Sequence, residues 1–161
     1  MTRWVETVER IIPGPPEPIF ALVSDPNRHQ DIDGSGTVRT AKDLPEQMGL
    51  GSIFGMNMEF GAKYSMVSTV IEYEAGRRIA WQSRPPSGRG PWRKLVGGRI
   101  WRYELEPVEG GTRVRESWDL SEEKFNWLIW RGLRGKTTAN MRATLKRIEG
   151  LVTAEKGTAG A

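Results

Sequence analysis

The segment that decides the fold runs from residue 98 to residue 120 and reads GRIWRYELEPVEGGTRVRESWDL. Apolar residues alternate with polar ones in both of its halves. The alternating apolar positions are Trp101, Tyr103, Leu105, Val114 and Trp118. This period of two predicts strands over Gly98–Glu106 and Thr112–Leu120, each with one apolar face. Pro107 to Gly111 predicts a hairpin turn between them, so the two strands are expected to be antiparallel neighbours.

Upstream of this hairpin the chain carries further strand patterns and two short helical ones. The strand patterns cover residues 3–12, 37–41, 51–60, 64–74 and 79–83. Pro13 to Pro16 ends the first strand and suits the first turn of a helix over Glu17–Val23. A second helical turn is predicted over residues 26–32, with Asp25 as its cap. Sequential strands without helices between them predict an antiparallel meander of about seven strands.

The chain ends in a long helical pattern. Ser121 is the predicted cap, and Gly132 and Gly135 weaken the middle, where we expect a break or kink. A firm helix is predicted from about Thr137 to Ala154, and a disordered tail over residues 157–161. A twisted sheet must cover one apolar face, and this helix is the only element long enough. The prediction is an α+β fold, a single domain over residues 1–156 with a curved sheet wrapped around the C-terminal helix.

Composition excludes several kinds of site. The chain has 161 residues, no Cys and one His, which removes disulfides, thiolate metal sites and thiol nucleophiles. We therefore expect neither metal nor cofactor. The net charge of +4 permits an anionic partner without requiring one. No stretch approaches the roughly 18 apolar residues of a membrane span, and residues 1–6 carry charges where a signal peptide needs an apolar run. These features predict a cytoplasmic protein.

The order of elements resembles the helix-grip fold of the birch-pollen-allergen, or START-like (SRPBCC), superfamily, and within it the polyketide cyclase/dehydrase-like proteins. The resemblance covers nearly the whole chain. It is carried by residues 18–26 (PIFALVSDP), His29, residues 32–36 (IDGSG), residues 72–81 (EYEAGRRIAW) and the Trp101–Val114 segment. The resemblance implies a cavity between sheet and helix. Members of the superfamily include lipid carriers, hormone receptors, aromatases and cyclases, so it does not select one activity.

Two sets of side chains are candidates for lining such a cavity. Phe54, Met56, Met58 and Phe60 share one face of one strand, and methionine is an adaptable lining for apolar ligands. Aromatic walls favour flat ligands. The second set comprises Trp81, Trp101, Tyr103 and Trp118 on later strands, with Trp130 and Met141 on the final helix. The alternative for both sets is ordinary core packing.

Three polar residues are candidates for chemistry. Glu116 lies between Val114 and Trp118 on the apolar face of its strand, where burial would raise its pKa. It could orient a ligand hydroxyl or act as a general acid/base with Tyr103 or His29. The alternative is a buried carboxyl paired with an Arg or Tyr, or one at the sheet edge. His29 is placed near the cavity mouth, and its alternative is a surface histidine in a helical turn.

Charged and apolar clusters near the mouth complete the candidate surfaces. Basic residues cluster at Arg84, Arg89, Arg93, Lys94, Arg99 and Arg102, interleaved with Trp92 and Trp101. We interpret them as a solvated loop and outer strand face, and expect no nucleic-acid binding. Arg99 shares the parity of Trp101 and is expected at the cavity rim, where it could meet an anionic ligand group. The apolar segment 125–130, with Trp127 at the rim, is a lid, a homodimer contact, a membrane approach or core.

Three functions remain open at this stage. The first, which we favour, is binding of an apolar or aromatic small molecule, lipid-like or polyketide-like, by a carrier or sensor. The second is a cavity enzyme of cyclase, dehydratase or aromatase type, which also requires a positioned acid/base pair. The third is an interaction protein with a filled core, which requires that no pocket exceed about 300 Å³.

Overall fold

A seven-stranded antiparallel sheet is the framework of the protein. The computed structural model describes residues 3–86 and 95–159, with side chains as far as residue 155 in the last helix. The strands are β1 (Val5–Ile12), β2 (Val38–Lys42), β3 (Ile53–Phe60), β4 (Ala62–Glu74), β5 (Arg78–Arg84), β6 (Arg99–Val108) and β7 (Gly111–Asp119). Their order is β1-β7-β6-β5-β4-β3-β2. The predicted meander is confirmed, and β1 returns to pair with β7.

Two short helices follow β1, as predicted. Helix α1 (Pro16–Val23) starts at a proline, whose missing N–H is not needed in a first turn. A 3₁₀ turn (Pro26–Arg28) leads into α2 (His29–Ile32). The Asp25 side chain accepts a hydrogen bond from the Asn27 backbone N–H at 3.0 Å, which is the predicted cap. These helices close one end of the space between the sheet and the last helix.

The last helix, α3 (Asn126–Ala159), differs from the prediction at its start and in its middle. Residues 121–125 form turns instead of the first helical turn, and Asp119 accepts the Ser121 N–H at 2.8 Å. The expected break at Gly132 and Gly135 is wrong, because the helix runs through both. Each glycine costs only about 1 kcal/mol, which cooperative helix propagation and packing on either side outweigh. The helix also continues past residue 157, where the tail is predicted to begin.

The sheet curves around α3, and the core lies between them. The buried helix face carries Met141, Leu145, Ile148 and Val152 at helical spacing. The helix packs on β1 and β7 and diverges from β3 and β4. Ion pairs fix it to β1 at two points, Arg134 with Glu6 at 2.7 Å and Arg10 with Glu149. The architecture is the α+β helix-grip arrangement that the sequence predicts.

No helix within the described residues combines the length and apolar character that crossing a membrane requires.

Candidate functional site

A cavity of about 620 Å³ opens where α3 diverges from β3 and β4. Its walls are the inward faces of β3 to β7, together with α2 and α3. The sequence-predicted site residues that line it are His29, Phe54, Met56, Met58, Phe60, Trp81, Arg99, Trp101, Tyr103, Glu116 and Met141. The structure therefore brings together most of the predicted set, including the whole Phe54–Phe60 stripe.

Exposure along the strands distinguishes a closed end from a mouth. On β3, Phe54 is 2% exposed and Phe60 is 59% exposed. On β6, Tyr103 is 4% exposed, whereas the side chain of Arg99 is 24% exposed. Exposure therefore rises toward the same end of the sheet on both strands, with increasing residue number on β3 and decreasing residue number on β6. The mouth lies at Phe60 and Arg99, and the closed end lies at Phe54 and Tyr103.

The closed end contains a buried carboxyl. Glu116 is 3% exposed, and Tyr103 Oη donates a hydrogen bond to its Oε1 at 2.9 Å. Its other oxygen, Oε2, is buried without a hydrogen-bond partner. Burial raises the pKa of Glu116 to about 8, against the lowering effect of the Tyr103 hydrogen bond. Burial, reinforced by the neighbouring Glu116 charge, raises the pKa of Tyr103 well above its usual value. Glu116 is therefore mainly a neutral acid near pH 7.

His29 lies deeper than predicted. It is 7% exposed and its Nε2 lies 2.9 Å from the Val23 carbonyl oxygen, which can only accept, so Nε2 carries the hydrogen. Its ring stacks on Trp81 with centroids 4.9 Å apart. Burial lowers the pKa of His29, so the ring is neutral near pH 7 and Nδ1 is an acceptor. The predicted position at the mouth is wrong, because α2 places this ring in the interior, against Trp81 and Phe54.

Arg99 lies at the mouth and is held by a buried carboxylate. Its Nε donates to Glu123 Oε1 at 3.0 Å, and the side chain of Glu123 is 0% exposed. The other oxygen, Oε2, accepts the Gly97 N–H at 3.0 Å. Sequence reasoning did not single out Glu123, because it lies in the irregular segment before α3, which no periodicity relates to Arg99 at the start of β6.

A polar loop forms another part of the wall. Asp33 accepts hydrogen bonds from the backbone N–H groups of Ser35 and Val38, at 2.9 and 2.8 Å. Gly34 N–H donates to Thr144 Oγ1 on α3 at 2.9 Å. A Cβ at Gly34 would lie 2.3 Å from the Asn140 carbonyl oxygen, so the loop approaches the helix as only glycine allows.

Further wall residues were missed, although strand parity could have found some of them. Tyr64, Met66 and Ser68 alternate on β4 in phase with buried Val70. The hydroxyl of Ser68 is hydrogen-bonded to that of Ser83 at 2.9 Å inside the wall. On α3 the helical spacing extends the lining to both sides of Met141. Leu133, Lys136, Thr137 and Asn140 precede it toward the mouth, and Thr144 follows it.

Three predicted site residues do not line the cavity. Trp118 is 1% exposed and stacks on Trp130 with centroids 6.1 Å apart and planes 7° apart. This pair fills the space where α3 is close to β7, so both belong to the core. Trp127 is 55% exposed on another side of the helix. The segment 125–130 divides by helical side, with Ile129 and Trp130 against the core and Phe125, Trp127 and Leu128 exposed.

The basic cluster does not act as one surface. Arg99 faces the cavity, and Arg102, three residues later, faces outward and pairs with Glu72 at 2.5 Å. Arg89, Trp92, Arg93 and Lys94 lie outside the described residues.

Neither a second groove nor a metal centre competes with the cavity. A groove of about 280 Å³ is lined by arginines and glutamates that pair with one another, such as Arg78 with Glu104 at 2.9 Å. Across residues 3–86 and 95–159, no three metal-ligating side chains come together.

Comparison with known proteins agrees with this architecture. Residues 3–153 match the family described as polyketide cyclase/dehydrase and lipid transport. The uncharacterised protein Rv0088 of Mycobacterium tuberculosis strain H37Rv is 34% identical over 144 residues, which is 85% of this chain and 59% of that protein. The chain thus spans somewhat more than half the length of this relative.

Solved structures share the fold at low sequence identity. The protein NE0264 of Nitrosomonas europaea superimposes with a TM-score of 0.70 at 15% identity, over 96% of this chain and 97% of that one. The di-domain ARO/CYC protein StfQ, from the steffimycin biosynthetic pathway, gives a TM-score of 0.69 at 13% identity, over 96% of this chain and 52% of that one. These likenesses concern the fold alone. The family match over nearly the whole chain goes further: this protein belongs to the polyketide cyclase/dehydrase and lipid transport family.

Proposed function

We propose that this protein binds an apolar or aromatic small molecule, lipid-like or polyketide-like, in the cavity, and that it serves as a carrier or sensor of that molecule. The observation that carries the proposal is the unpartnered Oε2 of Glu116 at the closed end of a largely apolar cavity of about 620 Å³. Pockets of about 300–1,000 Å³ with apolar walls and a few placed polar groups are typical small-molecule sites.

The chemistry of Glu116 specifies what the closed end recognises. In the neutral acid, Oε1 accepts the Tyr103 hydroxyl, which leaves the proton on Oε2 facing no protein acceptor. A buried polar group without a partner costs about 1–3 kcal/mol. A ligand ketone, aldehyde or hydroxyl oxygen would remove that cost by accepting the Oε2 hydrogen. The aromatic faces of Trp81 and Tyr103 flank the same end and suit a flat or unsaturated ligand.

Native mass spectrometry of freshly purified protein tests the proposal. We expect an adduct of small-molecule mass on the wild-type chain that is released under denaturing conditions. Met58→Trp, which adds bulk inside the cavity, should reduce the adduct, whereas Trp127→Phe, on the exposed helix side, should leave it unchanged. Absence of any adduct, together with failure of apolar fluorescent probes to bind in a Met58→Trp-sensitive manner, would contradict the proposal.

A cavity enzyme is the second candidate, and a specific arrangement favours it. Glu116 is an acid that can donate a proton to a carbonyl oxygen, and Nδ1 of His29 is a base. His29 stacks on Trp81, whose ring centroid lies 5.8 Å from that of Tyr103, the hydrogen-bond partner of Glu116. Such a pair suits proton transfer during ring closure of a poly-β-ketone. The likeness to the StfQ protein and the family description both support this class. Turnover of a poly-β-ketone that is lost in Glu116→Gln and retained in Glu109→Gln, an exposed turn carboxyl, would establish it over simple binding.

The cavity volume opposes the third candidate, an interaction protein with a filled core. That reading requires a packed interior with no pocket above about 300 Å³. The cavity is about twice as large and ends at the unpartnered carboxyl oxygen.

A further inference from the structure

We infer that the ligand is an amphiphilic acid, whose carboxylate meets the guanidinium of Arg99 at the mouth and whose far end carries a ketone or hydroxyl oxygen that meets Glu116. The inference rests on the proposed function and names the ligand class for the same cavity. It assigns a second polar contact point to a site otherwise recognised by its apolar walls.

Arg99 has hydrogen-bond donors that the described residues do not use. A guanidinium has five N–H donors, and in Arg99 only the Nε donor meets a described protein acceptor, Glu123 at 3.0 Å. Both Nη groups therefore lack a partner among the described residues. The side chain is 24% exposed and lines the cavity, so these donors are available to a ligand there. Paired Nη donors match the two oxygens of a carboxylate.

Arg102, on the opposite face of β6, is held differently from Arg99. Its Nε and Nη2 both bind Glu72, at 2.5 and 3.3 Å, and its Nη1 lies 3.9 Å from Asp119. Protein carboxylates thus surround the outward arginine. Among the described residues, the inward arginine is held through Nε alone, by a carboxylate that the Gly97 N–H also fixes. Glu123 is therefore a positioning residue that orients Arg99 without engaging its terminal nitrogens.

A second cation also lies at the mouth. Lys136 lines the cavity, and its Nζ lies 4.6 Å from the centroid of the Phe60 ring, with no ion pair in the described part of the chain. Asp33 is the opposing charge in the wall, and backbone N–H groups of its own loop bond to both of its oxygens without removing that charge. Glu123 pairs with Arg99. Lys136 is therefore a cation that can still form an ion pair with an anionic ligand end.

The strand spacing sets how far apart the two contact points lie. Arg99 and Tyr103 are four residues apart on one face of β6, and Tyr103 is opposite Glu116 on β7. At about 3.4 Å per residue, the Cα atoms of Arg99 and Tyr103 are roughly 14 Å apart along the strand. A chain of about ten carbons spans that distance. Met56, Met58 and Trp101 supply the apolar wall between the two ends.

Matched chain ligands test the inference. The probes are decanoic acid, decanol and ω-hydroxydecanoic acid, and binding is followed by intrinsic tryptophan fluorescence and by calorimetry. At neutral pH we expect the wild-type protein to bind decanoate more tightly than decanol. Arg99→Gln should weaken decanoate binding at least about tenfold, as for loss of a charge-assisted contact, and change decanol binding less than about twofold. Unchanged decanol affinity also shows that the cavity of the variant is intact.

Three controls separate a specific contact from general effects. Arg102→Gln, which removes the outward charge from the same strand, should leave decanoate affinity unchanged. The preference for acid over alcohol should fade below about pH 5, where the ligand carboxylate is protonated. The ω-hydroxyl should add affinity in the wild type and not in Glu116→Leu.

The outcomes distinguish this inference from the proposed function. Equal binding of decanoate and decanol, or equal loss of both in Arg99→Gln, overturns the acid contact while Met58→Trp-sensitive decanol binding still supports an apolar site. Failure of all three probes to bind overturns both proposals.

Discussion

Replacing Glu116 with Gln should remove most of the pH dependence of stability between pH 6.5 and 8. Glu116 has its pKa raised from 4.5 to about 8 by burial in the folded protein, whereas in the unfolded chain it has the ordinary value. Between these two values the folded state holds a proton that the unfolded state has lost. Stability must therefore fall as the pH rises through this window.

The magnitude follows from the same two pKa values. Each pKa unit corresponds to about 1.4 kcal/mol, so the whole window is worth on the order of 4–5 kcal/mol. Between pH 6.5 and 8, Glu116 lowers the free energy of unfolding by about 1.6 kcal/mol, because the carboxyl of the folded protein titrates only at the upper end of this range. His29 has the opposite sign, because its lowered pKa makes stability fall as the pH drops below about 6.5. That contribution is common to both proteins and cancels in their difference.

Urea unfolding of wild type and Glu116→Gln at closely spaced pH values measures this difference. We expect the variant to gain about 1–2 kcal/mol relative to wild type as the pH rises from 6.5 to 8. Glu109→Gln in the exposed β6–β7 turn is the control and should track the wild type. Infrared difference spectra of the wild type should show a protonated carboxyl band that is lost toward pH 9 and is absent in Glu116→Gln. Parallel stability profiles of wild type and variant would refute the assignment of a buried neutral carboxyl.

Three further predictions concern packing and the cavity. Gly34→Ala should destabilise the protein by roughly 1–3 kcal/mol in thermal or urea unfolding, because the added Cβ would meet the Asn140 carbonyl. Gly132→Ala has open space beside it and should stabilise the protein by about 0.5–1 kcal/mol. Leu145→Ala should lower the free energy of unfolding by about 2–5 kcal/mol, because it leaves a cavity in the core. Met58→Trp should lower it much less and should block probe binding. Similar losses of stability in both variants would contradict the placement of Met58 at a void. Trp101→Phe should diminish the fluorescence change on probe binding, and an undiminished change would place the ligand elsewhere.

Strand parity accounts for the part of the site that sequence alone could predict. A period of two relates side chains on one strand. The inward orientation of the Phe54–Phe60 stripe and of Glu116 therefore followed directly from the sequence. Strand parity does not show how closely a helix packs against that face of the sheet. Trp118 has the same parity as Glu116, yet it belongs to the core because Trp130 stacks on it. The same limit hid the buried position of His29, which depends on how α2 docks.

Local propensity was a weaker guide than parity. Gly132 and Gly135 predict a break, but the helix is fixed on both sides, by Trp130 against Trp118 and by Met141 in the core. The pairing of Arg99 with Glu123 joins the start of a strand to an irregular segment, so no repeating pattern marks it.

The way α3 is attached explains why a cavity persists instead of collapsing. Toward its start, Trp130 is held between Trp118 and Trp4, with centroids 6.1 and 6.0 Å apart, which keeps the helix on β7 and β1. Further along, the Gly34 N–H bonds to Thr144 and separates the helix from the β2–β3 side by the thickness of a loop. Collapse onto β3 would require breaking one of these two attachments. The void is therefore limited by backbone positions, so that substitutions within its walls should change what it binds more than whether the chain folds.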